Sequence, residues 1–283
     1  MPRLISGKDV FLMNRFKINF QLQELDKVMP FGERLHWFAL TDGLLWIDAG
    51  TQTIYEYSEA AQAYFGSDIK YNDYQIARFL EDFFGIFRHV GESVPKELYS
   101  ILEQFNVKTE KWRDCHIEEE DEVFDRFYFN EYCELGEWYS NRLFDSGHLV
   151  GGPYIGCFRC GEKIKIIWKS SFKLDNGNSI WTAPEGCYEM PYNEFVSSVT
   201  EFFDAFFARM DKQVENAVMK DWGNIFLDKQ RLAAENDERK AGFLQGIGFL
   251  GNTDWNTDWD RVMMLYSKME DELNMAKRAM RRR

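Results

Sequence analysis

The chain reads HWFALTDGLLWI over residues 36–47, two apolar runs that meet at Asp42-Gly43. An Asp-Gly pair between apolar runs is typical of a two-residue β-turn, because both central residues of a type I′ turn need positive φ. The stretch therefore predicts a hairpin of two strands, residues 35–40 and 44–49. We expect a sheet to grow on both sides of this hairpin.

Strand-like segments flank the predicted hairpin. Residues 16–22 (FKINFQL) alternate apolar and polar side chains with the period of two that a half-buried strand shows. Residues 53–57 (TIYEY) add a strand after Gly50, so the first part of the chain predicts an antiparallel meander. A second hairpin and two short strands are predicted further along, at residues 154–159, 163–169, 179–182 and 186–190.

Helical periodicity predicts the other elements. Apolar residues repeat on one helical face from Tyr74 to Phe87, and again over a longer segment that starts at Pro191. Weaker helical patterns lie at residues 95–105, 123–143 and 228–283. The last of these is interpreted as two helices separated by residues 246–258, with Asp258 as the N-cap of the final helix.

Together these patterns predict an α+β fold. Antiparallel sheets, built from a meander and hairpins, are packed by long amphipathic helices and followed by a helical C-terminal segment. No Pro-, Gly- or Ser-rich linker divides the chain, so we expect one composite domain over residues 1–283, with sub-units at 1–145 and 146–227 and the helical segment at 228–283. Strands followed by a helix occur twice, which raises the hypothesis of an internal ββα repeat.

Charge limits the classes of partner. The 283 residues include 34 basic and 47 acidic side chains, a formal net charge of −13 that argues against nucleic-acid binding and favours a basic protein partner. Solubility alone is the alternative reason for such a charge. No apolar run is long enough to span a membrane, and no secretory signal is visible. Five irregularly spaced cysteines fit a reducing compartment, so we expect a cytoplasmic protein.

Three short motifs suggest cofactors or catalysis but lie in the wrong context. GIGFLG at residues 246–251 matches the dinucleotide fingerprint, yet a helical pattern precedes it where a strand is required, so we interpret it as a loop. Cys157 and Cys160 have the spacing of half a zinc site, but no second pair follows. DSGH at residues 145–148 is interpreted as a turn. We therefore predict no metal site and no cofactor.

Four stretches resemble a bacterial family of unknown function. Residues 36–47 resemble the HWFxLTDGxxWI motif of that family. Support comes from three further stretches, which resemble its LDSGxL, VWTA and TDWD segments, namely LFDSGHL at 143–149, SIWTA at 179–183 and NTDWD at 256–260. The resemblance implies a bacterial cytoplasmic protein with one architecture, and it carries over no catalytic residue.

The chain is acidic, rich in aromatic residues and without an enzyme motif, and in these respects it is similar to immunity proteins that neutralise polymorphic toxins. This similarity is an analogy of general character and not homology. Our leading hypothesis is a non-enzymatic, immunity-type inhibitor that binds a basic toxin domain. Acidic residues and one aromatic anchor are the candidate contacts: Glu118, Glu119, Glu120, Asp121, Glu122, Asp254, Trp255 and Asp258. The alternative is an enzyme or small-ligand sensor with a pocket between sheet and helices, built from His36, Asp42, Asp145 and His148.

Overall fold

The computed structural model describes residues 15–144 and 146–280. Two four-stranded antiparallel sheets are packed by helices, and a helical segment ends the described chain, so the predicted α+β class is confirmed. None of the described helices is both long and apolar enough to cross a membrane.

The first sheet is arranged around one central strand. Its strands are β1 (Lys17–Leu22), β2 (Asp42–Ala49), β3 (Gln52–Ile54) and β4 (Asn72–Gln75). Strand β2 pairs antiparallel with β1 along one edge, and with β3 and β4 in succession along the other. Apolar residues of β1 and β2 face the core, which is the alternation that the sequence predicts for a half-buried sheet.

The hairpin predicted at Asp42-Gly43 is wrong. Residues Trp37–Thr41 form a 3₁₀ helix, and Asp42 and Gly43 are the first two residues of β2. Gly43 is needed for close packing, because a Cβ there would lie 2.2 Å from the carbonyl oxygen of Gln21 on β1. The chain reverses later, at Gly50, whose φ of 66° suits the β2–β3 turn.

The second sheet is a meander in the order β5-β6-β7-β8. Its strands are β5 (Leu143–Phe144), β6 (Tyr154–Cys160), β7 (Lys163–Lys169) and β8 (Glu185–Pro191). The predicted β6–β7 hairpin is confirmed. The strand predicted at residues 179–182 is absent, since Trp181 forms only an isolated bridge to Tyr57 and stacks on its ring at 4.9 Å.

Nine α-helices lie in the described part of the chain. They are α1 (Glu59–Phe65), α2 (Ile76–Val90), α3 (Lys96–Ser100), α4 (Leu102–His116), α5 (Asp121–Phe127), α6 (Cys133–Ser140), α7 (Tyr192–Met219), α8 (Lys229–Gly251) and α9 (Trp259–Met280). A 3₁₀ turn, Leu25–Lys27, and a π-helical turn, Tyr128–Tyr132, add to them. The two strongest predicted helices, α2 and α7, are confirmed.

Three predicted boundaries are wrong. The helix predicted from Tyr74 begins at Ile76, because the preceding residues pair with β2 as β4. The helix predicted at residues 123–143 is α5 and α6 joined by the π-helical turn. The predicted loop at residues 246–258 is helical up to Gly251, and Gly246 allows this part of α8 to pack closely on Phe84 of α2.

Buried side chains form two clusters. The larger core combines both sheets with α2, α7 and α8. The smaller core lies among α3, α4, α5, α6 and α9, which we call the helical lobe, and it centres on Phe105, Trp112 and Leu265. Residues of the predicted sub-unit 1–145 contribute to both clusters, and the division into sub-units stays a prediction, as does the internal repeat.

Substitution of Phe203 tests whether the larger cluster is the main stabilising core. Its buried ring contacts Phe87 of α2 and Phe243 of α8, so Phe203→Ala removes contacts that join three helices. We expect the free energy of unfolding to fall by about 3 to 5 kcal/mol in urea titrations followed by circular dichroism. The matched control is Leu244→Ala on the exposed face of α8, which should change it by less than about 0.5 kcal/mol. Equal effects would contradict the assigned core.

Candidate functional site

A cavity of about 660 Å³ lies between α4 and the second sheet. Its helical wall contains Glu103, Asn106, Val107 and Glu110, which share one face of α4 because they are spaced by three or four residues. Residues of β6 and β7 line the opposite side, and the segments 147–152 and 170–172 close the rim. Cavities of this volume are typical of ligand and peptide sites.

A second cavity of about 660 Å³ adjoins the first. It lies between α4 and the segment from the π-helical turn to α6, and it shares Asn106, Tyr139 and Leu143 with the first cavity. We call the two cavities together the acidic groove. Burial raises the pKa of Tyr139 to about 12, so its hydroxyl stays protonated at neutral pH.

Apolar side chains are unusually exposed along the acidic groove. The exposed fractions of Val107, Phe129, Tyr154 and Phe172 are 45%, 68%, 58% and 41%. All four side chains line the groove. Grouped exposed apolar residues mark interaction sites more often than scattered ones do.

The charges of the acidic groove are mostly negative. Four carboxylates line it, those of Glu103, Glu110, Glu134 and Glu137, together with the ammonium of Lys169. Arg261 pairs with Glu134 and Lys165 lies 3.6 Å from Glu103, so the formal charge is −1 once these partners are counted. The groove therefore combines apolar contact area with negative potential, a combination that suits a basic, partly apolar segment of another protein.

The sequence predictions did not identify this groove. Its residues come from α4, α6, β6, β7 and two loops, which are separated by up to about 70 positions, and no local motif links them. One signal was present in the sequence. Val107 lies off the stripe formed by Leu102, Phe105 and Trp112, and an apolar residue outside the buried stripe of a helix is exposed.

Residues 17–265 match the family of unknown function DUF5984. The chain belongs to this family. No curated protein and no solved structure is similar enough to the chain to count as a match. Membership of DUF5984 therefore confirms the predicted resemblance to a family of unknown function and assigns no activity.

The predicted acidic contacts of this DUF5984 protein at residues 118–122 are all exposed, in the turn before α5 and its first residues. Glu119 lies 3.1 Å from the Nδ1 atom of His116. Ile117 and Val123 flank the run and are themselves exposed, so the run also joins charge to apolar surface. None of these residues lines the acidic groove, although both features belong to the helical lobe.

The second predicted contact set lies in the loop before α9. Asp254 forms an ion pair with Arg88 at 2.7 Å, and Asp258 accepts a 3.0 Å hydrogen bond from the backbone N–H of Arg261. The predicted N-cap role of Asp258 is therefore confirmed. Trp255 is 37% exposed and packs edge-on against His89. The role of these residues in binding a partner stays a prediction.

The described residues of the alternative pocket do not all line one cavity. His36 is exposed beside the ring of Phe31. Asp42 lines a cavity of about 540 Å³ with Asp73, and burial raises the pKa of both carboxyls. Neither His36 nor His148 lines that cavity. Asp145 lies outside the described residues.

Ser146 and His148 have partners that the sequence did not predict. The buried Ser146 hydroxyl is hydrogen-bonded to the hydroxyl of Tyr55, whose φ of 67° is positive. His148 packs on Tyr74, and its Nδ1 atom lies 3.6 Å from Asp82. The carbonyl of Ser146 accepts the backbone N–H of Leu149, so the segment forms the predicted turn and anchors it to the core.

Cys157 and Cys160 lie on β6, three residues apart. Cys157 is fully buried, and burial raises the pKa of its thiol to about 12, so it stays protonated and unreactive at neutral pH. Among the described residues, no group of three or more His, Cys, Asp or Glu side chains is arranged to hold a metal ion.

Asp42→Asn tests the environment of the Asp42 carboxyl. Because burial raises its pKa in the folded protein, the ionised form opposes folding at pH 7, and this penalty disappears below the pKa of an unfolded Asp, about 3.9. We expect Asp42→Asn to raise the unfolding free energy at pH 7, and to have little effect at pH 3, in urea titrations.

The control is Asp48→Asn on the same strand. Asp48 accepts hydrogen bonds from Asn19 at 2.8 Å and from Thr53 at 3.2 Å, and an Asn side chain has only one oxygen to accept them, so this variant should not be stabilised. A destabilised Asp42→Asn protein at pH 7 would show that Asp42 makes a favourable charged contact.

Proposed function

We propose that this DUF5984 protein is an acidic binding protein of the immunity type, which inhibits a basic bacterial toxin domain. The observation that carries the proposal is the acidic groove, where exposed apolar residues and four carboxylates line the same cavities. Binding, without catalysis, is the role that such a surface suits best.

Charge and apolar contact have separate parts in this proposal. The net charge of −13 and the exposed acidic run at residues 118–122 raise the association rate of a basic partner through long-range attraction. Val107, Phe129 and Tyr154 supply the apolar area that holds the partner once it is docked. An amphipathic basic helix or loop presents both kinds of side chain to the groove.

Inhibition follows from occupation of a basic surface. A toxin domain that acts on nucleic acid or another anionic substrate needs an exposed basic site, and an acidic protein bound there blocks the substrate by exclusion. This role needs no metal, cofactor or catalytic residue in the inhibitor. It is carried out in the bacterial cytoplasm, where such a substrate lies.

Capture and reconstitution test the proposal. The tagged full-length protein is used to isolate partners from the source cytosol, and the partner is then purified and titrated by calorimetry at 50 and 300 mM salt. We expect one stoichiometric basic protein whose affinity falls as salt rises, since the attraction between exposed charges is screened. Expression of that protein alone should stop growth, and co-expression of the DUF5984 protein should restore it.

Charge-reversal variants localise the binding surface. The double variant Glu103→Lys, Glu110→Lys in the groove should raise the dissociation constant of the complex by about tenfold or more. The control is the double variant Glu194→Lys, Glu215→Lys on the exposed face of α7. It makes the same change in net charge and should raise the dissociation constant less than about threefold. Equal losses in the two variants would place the contact elsewhere, and a partner without toxicity would refute the immunity role.

A second candidate function is an enzyme or small-ligand sensor. The cavity that contains Asp42 and Asp73 favours it, because two partly desolvated carboxyls on neighbouring strands are common in acid–base sites. A metabolite that raises the melting temperature of the native protein, but not of the Asp73→Asn variant, would support this function over the first.

A further inference from the structure

A third cavity lies beneath the loop that precedes α9. Its volume is about 170 Å³, and α6, residues 255–258 and the first turns of α9 line it. It shares Glu134 and Glu137 with the acidic groove, so the two sites adjoin along the same helix. A volume of this size admits one side chain, whereas the groove admits a longer segment.

The charge balance of the third cavity favours a cation. Its walls contain the carboxylates of Glu134, Glu137 and Asp258, and one guanidinium, that of Arg261. Arg261 binds Glu134 through two hydrogen bonds of 2.7 and 2.9 Å, so these two charges compensate each other. The charges of Glu137 and Asp258 remain, and they give the cavity a formal charge of −2.

Two indole side chains complete the walls. Trp255 is 37% exposed, and Trp138 is almost fully buried. The indole N–H of Trp138 has no hydrogen-bond acceptor among the described residues. Indole faces attract cations, and a buried indole N–H normally has an acceptor, so the unpartnered N–H of Trp138 makes this wall of the cavity unusual.

The loop that carries Trp255 is held in place before any ligand binds. Its indole N–H donates to Thr257 at 3.1 Å, and the backbone N–H and hydroxyl of Thr257 donate to Glu92 at 2.7 and 2.6 Å. Trp255 packs on His89, and burial together with the charge of Arg142 lowers the pKa of that imidazole. His89 is therefore neutral at pH 7 and does not repel a cation.

We propose that the third cavity binds the side chain of one lysine of the basic partner, with the ammonium near Glu137 and Asp258 and the aliphatic stem along the tryptophans. This inference rests on the proposed function, because it names the anchor of the same partner. Lysine fits better than arginine, since a guanidinium prefers a bidentate carboxylate and Arg261 already occupies that of Glu134.

Nuclear magnetic resonance of the indole N–H groups tests the lysine site directly. The probe is Nα-acetyl-lysine methylamide, added to the full-length ¹⁵N-labelled protein at pH 7. Its Nε-acetylated form, which has no charge, and Nα-acetyl-arginine methylamide are the comparison compounds. Trp138→Phe and Trp255→Phe variants assign the two resonances. We expect saturable shifts of both resonances with the lysine compound and much weaker shifts with the other two.

Isosteric variants separate a specific site from general attraction. Glu137→Gln should weaken binding of the lysine probe at least fivefold, because it removes one of the two uncompensated charges without a change of shape. Glu215→Gln makes the same charge change on the exposed face of α7 and should leave the affinity within twofold. The lysine site is overturned by an absence of saturable shifts, by equal binding of the arginine or uncharged compound, or by equal losses in both variants.

The partner from the capture experiment distinguishes this inference from the proposed function. If Glu137→Gln weakens both probe and partner binding at least fivefold, the lysine anchor is supported. If the partner binds Glu137→Gln as tightly as the native protein and the probe does not bind, the anchor is wrong while the inhibitor role stands. If the probe binds saturably but no basic partner exists, the site takes a free amine and the inhibitor role is wrong.

Discussion

A buried ion pair, that of Glu92 with Arg142, lies where elements of the two cores meet. Arg142 is fully buried, and its guanidinium donates to Glu92 at 2.7 Å and to the carbonyl of Trp138 at 2.7 Å. The same carboxylate accepts bonds from Thr257 and Trp259. Loss of one member of such a pair leaves an uncompensated buried charge, which costs several kcal/mol, so the end of α2, the end of α6 and the start of α9 must stay together.

The attachment of the helical lobe near this ion pair explains where the acidic groove and the third cavity lie. The helical lobe is joined to the second sheet near Arg142 and Phe158, and α4 crosses the sheet without covering it completely. The space left between them is the acidic groove, and the loop fixed by Glu92 covers the third cavity. Like charges on one surface repel and oppose compaction. Burial of apolar side chains in the two cores offsets this repulsion.

Amphipathic patterns in the sequence predict helices reliably, whereas the structural role of a glycine depends on its tertiary contacts. The amphipathic stripes of α2 and α7 were predictable, because burial of one helical face requires a repeated apolar pattern that is visible in the sequence. Gly43 was misread, because glycine serves a positive φ and a close backbone approach equally well, and only the position of Gln21 distinguishes them. Likewise, Gly246 allows α8 to pack on Phe84, and residues 246–251 are helical and do not form a loop.

The fold class, the net charge, the long helices and the N-cap at Asp258 could be predicted from the sequence, since each depends on side-chain identity or on periodicity within a short segment. So could the membership of a family of unknown function. The set of acidic residues that share a surface could not, because it depends on how the helices and sheets pack. Glu110 and Glu137 line the same groove because their helices pack together. Asp254 forms an ion pair with Arg88 because α2 ends beside the loop before α9. Electrostatic function depends on distances across the fold, and these arise only when the cores assemble.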